Sequence, residues 1–373
     1  MPAPLIVTLL AILSLAAAVP AAAVPATAAP TTAPLAPVPC GPYCGEGAPP
    51  VEPALFAPGW VNHGPRTRDI AMAPDGRELL FGLAVGGTRY VTVATTRQGP
   101  DGCWSEPVLL PFATDPRYRV LEPHVTPDGR RLFFASDRPD AAGAPPRDED
   151  LFVAERVADG WSAPRRLPAP VNTDRPEFFP STTRDGVLYF THRHPETGRE
   201  VIARCRPSAG GGWSAPEILP PAVNAAPDQF NAWIDPDERF LLVCLAGHPQ
   251  NLGQVDYWVV FRDPDDTWHG PVNLGPRING PGREGWSASV SPDGRALFFM
   301  TARPATTATD SAAPSGTVAP SAAAGVGDPA PMSFRGLLAA HARPGNGLGH
   351  MWWVDAGFLW DLDPRGGAGG GGD

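Results

Sequence analysis

Residues 160–172 read GWSAPRRLPAPVN, and residues 212–224 read GWSAPEILPPAVN. A near-copy about fifty residues downstream is the mark of a stacked or circular array, so the repeat has to be mapped before any single residue is interpreted. Looser copies of its Trp-x-x-Pro core stand at Trp104-Ser105-Glu106-Pro107 and Trp268-His269-Gly270-Pro271. A turn recurs between them: Pro74-Asp75-Gly76, Pro127-Asp128-Gly129, Arg184-Asp185-Gly186, Pro236-Asp237-Glu238 and Pro292-Asp293-Gly294. Proline presets φ, aspartate caps the turn and glycine accepts positive φ, which is hairpin chemistry. Each turn opens into a short apolar run (ELLFGLA, RLFFASD, VLYFTHR, FLLVCLA, ALFFMTA). Such runs suit strands packed on both faces. A third strand follows in each unit: YVTVATT, DLFVAER, EVIARCR, DYWVVFR and MWWVDAG.

The fifth unit lacks its Trp-x-x-Pro strand. The segment LFAPGWVN near the start instead ends in Val61-Asn62, as the earlier units end in Val171-Asn172, Val223-Asn224 and Ile278-Asn279. The N-terminal strand is therefore expected to complete the C-terminal unit and close a ring, which removes exposed sheet edges. The prediction is all-β: a five-bladed β-propeller of four-stranded antiparallel blades. A six-bladed ring would need a unit the sequence does not contain, and an open solenoid would leave the split unit unexplained. The tryptophan is expected to cover the blade near its rim, and the proline suits an edge strand that needs no ladder donor.

VTPDGRRLFFASDRP and VSPDGRALFFMTARP resemble the WD40-like β-propeller repeat of the TolB type, common in exported bacterial proteins. The closing MWWVDAGFLWDL and the opening GPYCGEGAPPVEPALFAPG are similar to the ends of a secreted bacterial subfamily of that repeat. The resemblance runs from about Gly41 to Leu362, implies the fold and is silent on activity. The chain departs from the pattern in a long insertion and in GLGHMWW, where an acidic residue usually precedes the third strand.

Composition narrows the function. All 29 basic residues are arginine, so a Schiff-base lysine and a Walker-type phosphate loop are both excluded. A formal net charge of −10 argues against nucleic acid and anionic membrane surfaces as partners. Residues 1–23 have the apolar run and small-residue site of a signal peptide, and the run is too short to span a membrane. The expected organisation is then a Pro/Ala-rich disordered tether at 24–52 and the propeller at 53–363. A disordered insertion is expected at 304–346 and a Gly-rich tail at 364–373. The chain is expected to be a periplasmic or extracellular monomer with no transmembrane helix after signal cleavage.

No nucleophile elbow, zincin motif, Rossmann glycines or EF-hand loop is present. Candidate chemistry therefore comes from the repeat. Ahead of each turn, at the start of the innermost strand, stand Asp69, Glu122, Glu177, Gln229 and Glu284, with Arg68, Arg119, Arg175 and Arg283 just upstream in four units. These groups are expected to ring one mouth of the central channel. As a site, the carboxylates suit a hard cation such as Ca²⁺, and the arginine forks suit a carboxylate-bearing ligand. As architecture, each arginine pairs with an acid in its own or the next blade and fixes blade register. The fourth unit breaks the symmetry with Gln229, Asn231 and Trp233; Trp233 and Trp286 on inner strands would suit sugar stacking or simply fill the core.

His192 and His194 read as a solvated hairpin tip with no third metal ligand. The five cysteines, Cys40, Cys44, Cys103, Cys205 and Cys244, are an odd count that leaves at least one unpaired; Cys40 and Cys44 are placed to close a small loop, and Cys205 and Cys244 read as buried thiols. The expected role is a binding or scaffold module for a protein partner, a glycan of the cell envelope or a small polar ligand at the channel mouth, with no catalytic residue and no cofactor assigned. The alternative is a glycosidase or lyase using two of the channel carboxylates as acid and base.

Overall fold

The computed structural model describes residues 37–85, 87–140, 145–283, 285–303 and 348–365. The signal-peptide region, the insertion at 304–346, Glu284 and most of the C-terminal tail lie outside the described residues.

Five antiparallel sheets form a five-bladed β-propeller. Strand β1 (Ala54–Leu55) precedes blade 1, which holds β2 (Arg66–Met72), β3 (Glu78–Val85), β4 (Tyr90–Arg97) and β5 (Val108–Leu109). Blade 2 holds β6 (Val120–Val125), β7 (Arg131–Ser136), β8 (Asp150–Val157) and β10 (Arg165–Arg166); the two-residue β9 (Gly160–Trp161) pairs with the end of β8. Blade 3 is β11 (Glu177–Thr182), β12 (Leu188–Arg193), β13 (Glu200–Cys205) and β14 (Glu217–Ile218). Blade 4 is β15 (Asp228–Ile234), β16 (Phe240–Ala246), β17 (Val255–Arg262) and β18 (Trp268–Asn273). Blade 5 is β19 (Ala288–Val290), β20 (Ala296–Thr301) and β21 (His350–Asp355), completed by β1, which pairs antiparallel with β21 through Ala54–Trp353 and Leu55–Trp352. The ring closes as the split fifth unit required.

Burial explains the unbroken apolar runs. β20 is buried at every position and β7, β12 and β16 at all but one, because blades stack on both sides of each sheet. The core divides into five clusters, each joining two or three adjacent blades. Phe133, Leu151 and Val153 of blade 2, for example, meet Leu188, Phe190 and Ala203 of blade 3.

The crossings between blades carry a repeated clasp. In blades 2 to 5, Asn172, Asn224, Asn279 and Asn62 each turn a side-chain amide onto one residue of the third strand. Oδ1 accepts its N–H and Nδ2 donates to its C=O: Leu151 at 2.8 and 2.9 Å for Asn172, Ile202 at 2.8 and 3.1 Å for Asn224. Asn279 does the same with Tyr257 and Asn62 with Met351. The amide thus imitates one more residue of the outer strand and satisfies backbone groups of the third strand. Blade 1 has no asparagine here, and Thr92 Oγ1 ties to Ala113 O at 2.5 Å instead.

Two expectations are corrected at the N-terminal segment. Residues 40–52, expected to end the tether, are folded onto the propeller: Trp104 Nε1 donates to Gly41 O at 2.8 Å, Tyr43 OH donates to Asp293 Oδ1 at 2.6 Å, and the Tyr43 ring lies 5.4 Å from that of Trp353. The aromatic Tyr43 and the apolar Cys44 are buried in the seam between blades 5 and 1, which gives this stretch the apolar surface a tether lacks. Cys40 consequently bonds Cys103 in the loop after β4, not Cys44, which remains a buried thiol like Cys205 and Cys244. Fastening the segment across 63 residues removes about 4 kcal/mol of chain entropy from the unfolded state. At the other end, Arg365, expected in the tail, pairs with Asp363 and Asp263. No helix among the described residues is long and apolar enough to cross a membrane.

Candidate functional site

Each complete inner strand carries a bulge. Its residue five places before the first residue of the turn takes a left-handed conformation: Asp69 (φ 56°), Glu122 (φ 58°), Phe179 (φ 51°) and Asn231 (φ 54°). The strand pairing shifts register there in all four. The matching residue of blade 5 is Ser287. Positive φ at a non-glycine residue is strained, so something has to hold it.

A belt of hydrogen bonds around the axis does so. Asp69 Oδ2 accepts Glu122 N–H at 3.3 Å, Glu122 Oε2 accepts Phe179 N–H at 2.8 Å, and Ser287 Oγ accepts Asp69 N–H at 3.2 Å. Phe179 has no acceptor to offer blade 4, so Thr191 Oγ1 from β12 takes Asn231 N–H at 2.9 Å. Asn231 Nδ2 completes the circuit by donating to Trp286 O. The bulge turns its N–H sideways to the preceding blade, and each blade answers with what its sequence supplies.

Arg68 sits behind the belt, with Nε 2.5 Å from Asp69 Oδ2 and Nη2 2.8 Å from Glu122 Oε1. Burial pushes the Glu122 carboxyl up to about 8, against the pull of Arg68, and the neighbouring Asp69 adds to the rise. Burial acts to lower the Arg68 guanidinium, but Asp69 and Glu122 outweigh it and hold it above the ordinary range. A second tier stands two residues further on. His124 Nε2 accepts Thr182 N–H at 2.9 Å, Ser181 Oγ donates to Ala232 O at 2.9 Å, and Ser289 Oγ donates to Ile70 O at 2.9 Å, each reaching the next blade.

The belt divides the channel into two cavities. Residues before the bulge line one of about 280 Å³; residues after it line one of about 500 Å³. This partition separates the sequence candidates. Arg68, Arg119 and Trp286 line the smaller cavity, Asp69 and Trp233 the larger, and Glu122 both, so the two tryptophans do not share a site. Glu177 and Gln229 stand two residues before the bulge and do not face the axis. Glu177 takes Thr173 Oγ1 at 2.6 Å and lies 3.0 Å from His192 Nδ1; Gln229 Nε2 donates to Glu200 O at 2.5 Å. Arg175 lies 3.9 Å from the exposed Asp174, and Arg283 donates to Pro276 O, so neither reaches the channel. His192 is buried, while His194 caps its turn by accepting Glu196 N–H.

The smaller cavity gathers residues the repeat pattern did not flag: Arg193, Glu149, Glu200, Phe178 and Phe230. Its charges come as pairs: Arg119 with Glu149 at 2.7 Å, Arg193 with Glu200 at 3.5 Å, and Arg68 with Glu122. Arg119 also reaches Asp137 at 2.8 Å. Burial raises the Glu200 carboxyl, opposed by Arg193. The guanidinium of Arg66 lies 5.6 Å from the Trp286 ring centre, and the Phe230 ring lies 5.8 Å from the same ring. Three polar atoms here, Asn231 Oδ1, Trp286 Nε1 and Arg193 Nε, are buried without a hydrogen-bond partner. Among the described residues no group of three or more His, Cys, Asp or Glu side chains is placed to hold a metal ion. Counting back from each turn, rather than looking for acids, would have found the bulge residues; Arg193 and Glu200 come from β12 and β13, where no repeat signal points to the channel.

A scan against protein-family models and a search of curated proteins both return no match. Among solved structures the chain is similar to TolB from Acinetobacter baumannii, at 14% identity and a TM-score of 0.40, over 64% of this chain and 49% of that one. It is likewise similar to a protein of unknown function from Dyadobacter fermentans, at 15% identity and a TM-score of 0.41, over 69% and 81%. An exo-1,5-alpha-L-arabinanase from a bovine ruminal metagenomic library matches at 13% identity and a TM-score of 0.39, over 65% and 88%. The chain spans about half of the TolB structure and a third of the matched puromycin hydrolase.

Proposed function

We propose that this protein is an exported propeller of the TolB-type repeat that binds a small, uncharged, polyhydroxylated ring, a sugar unit, in the smaller channel cavity. The observation that carries the reading is that three residues lining it, Asn231, Trp286 and Arg193, each keep a buried polar atom without a partner: Oδ1, Nε1 and Nε. Buried polar atoms left unpaired cost about 1–3 kcal/mol each, which a ligand able to bond them recovers. The paired charges decide the ligand class. With every arginine facing a glutamate, an ion of either sign meets a like charge, whereas a hydroxyl both donates and accepts. The ring faces of Trp286 and Phe230 supply the apolar side of a pyranose. The Cys40–Cys103 disulfide supports an oxidising compartment outside the cytosol.

An acid–base glycosidase reading is less well supported, because Asp69 and Glu122 share Arg68 and serve as acceptors in the belt. Calorimetric titration with neutral and acidic mono- and disaccharides tests the proposal. Binding of a neutral sugar, weakened about tenfold or more by Trp286→Ala or Arg193→Ala, is the expected result. Binding of acidic sugars alone, or of none, overturns it. Reducing-sugar release by the wild type, abolished in Glu122→Gln, would establish the enzyme instead.

A further inference from the structure

The larger cavity lies across the belt and takes no part in the sugar site. We propose that it is a second binding site, for an organic cation: an ammonium or guanidinium on an apolar stem. Its innermost acid is Asp69, 2% exposed, whose Oδ2 is used by Arg68 and by Glu122 N–H while Oδ1 has no partner. An anionic oxygen buried and half-satisfied is a strong acceptor waiting for a donor.

The surrounding charge has the matching sign. Both lining arginines are committed, Arg184 to Asp237 at 2.9 Å and Arg239 to Asp235 at 2.8 Å, and Asp69 and Glu122 share the single Arg68 behind the belt, so the five acids of the lining, Asp293 included, are met by three arginines. The lining His124 adds no positive charge, since burial lowers it to about 3. The walls suit a stem: Trp233 and Phe240 pack at a tilt with ring centres 5.9 Å apart beside Trp360 and the prolines of the turns. They already host a cation of this kind, because the Arg239 guanidinium lies 4.9 Å from the Trp360 ring centre. A volume of about 500 Å³ fits a small organic ligand. The smaller cavity, by contrast, has its arginines and glutamates in pairs, and none of its carboxylate oxygens is both buried and unpartnered.

The shared chemistry comes from two sources, a free amine or a lysine side chain of a peptide, and the probes separate them. The full chain is titrated calorimetrically with cadaverine and with a capped hexapeptide carrying one lysine. Pentanediol and glutarate serve as controls of the same length without the cation. The proposal expects at least one amine to bind, the controls not to, and Asp69→Asn to weaken binding by about tenfold or more. Asp237→Asn, at the exposed rim, is the fold-safe second variant and should weaken it about threefold through the lost field. Trp286→Ala, on the sugar side, should leave it unchanged, so the two sites succeed or fail separately. Binding of the peptide alone assigns the site to a protein segment, and binding of both assigns it to the amine itself. The proposal is overturned by silence of both amines at millimolar concentration, by equal binding of the diol, or by affinity unchanged in Asp237→Asn and in folded Asp69→Asn.

Discussion

The rim and the axis of this propeller solve the same problem, keeping neighbouring elements in register, by opposite means. At the rim, four blades use one residue in one way: an asparagine amide bonded to the N–H and C=O of a single third-strand residue. At the axis four blades present the same bulge geometry on different side chains, Asp69, Glu122, Phe179 and Asn231, and Ser287 holds the matching place in blade 5. Repetition at the rim marks a purely architectural part. Divergence at the axis lets the same belt be built with unequal chemistry on its two sides, and Asp69, Arg193, Asn231 and Trp286 each keep a buried atom without a partner there. Architecture and candidate site therefore share a backbone and are told apart by whether the side chain repeats.

The largest expected effect breaks the axis. Arg68→Met leaves Asp69 and Glu122 facing each other in a buried site, and removing one partner of such a cluster costs about 3–5 kcal/mol. Urea unfolding at neutral pH measures it. Adding Glu122→Gln should recover part of the loss, because the two residues belong to one network. A loss below about 1 kcal/mol would mean that the belt is held by its backbone bonds and that charge plays no part.

The rim is expected to behave in the other way. Asn172→Ala and Asn224→Ala each remove three hydrogen bonds to backbone groups, at about 2 kcal/mol per site. Because the two clasps share no partner, their losses should add in the double variant. Strong non-additivity would show that the blades communicate through the rim, and the contrast with the axis would fail.

The legibility of the sequence follows the same line. The hairpin turns, the doubly buried strands and the closing role of β1 were readable because each recurs with the period of the fold, and the Val-Asn ending that signalled closure marks the clasp. The candidate ring was aligned on acidity, which placed Glu177 and Gln229 level with Asp69 and Glu122. The bulge shifts the true register by two residues, and Phe179 and Asn231 occupy the belt. Arg193 and Glu200 face each other at the end of the β12–β13 pair and line the smaller cavity, a tertiary fact with no periodic trace. The Cys40–Cys103 bond was hidden for a related reason: residues 37–52 look like low-complexity chain until Tyr43 finds the seam between blades 5 and 1.

The smallest effect sharpens the comparison at one axial residue. At the second tier blade 2 uses His124 where blades 3 and 5 use Ser181 and Ser289, so only this blade can make its contact to the next one titrate there. Burial lowers the imidazole to about 3, and its Nε2 accepts Thr182 N–H, which requires that nitrogen to be unprotonated. The unfolded chain takes up this proton near pH 6.5, so the contribution is complete above that pH. It is lost as the pH falls toward 3, at about 1.4 kcal/mol per pH unit. His124→Gln keeps an acceptor and removes the titration. The stability difference between wild type and variant should therefore be flat from pH 8 to about 6.5 and then slope against the wild type. A difference that stays flat to pH 4 would mean that the histidine takes up its proton in the fold as readily as in the unfolded chain, so that its bond from Thr182 N–H does not hold it neutral.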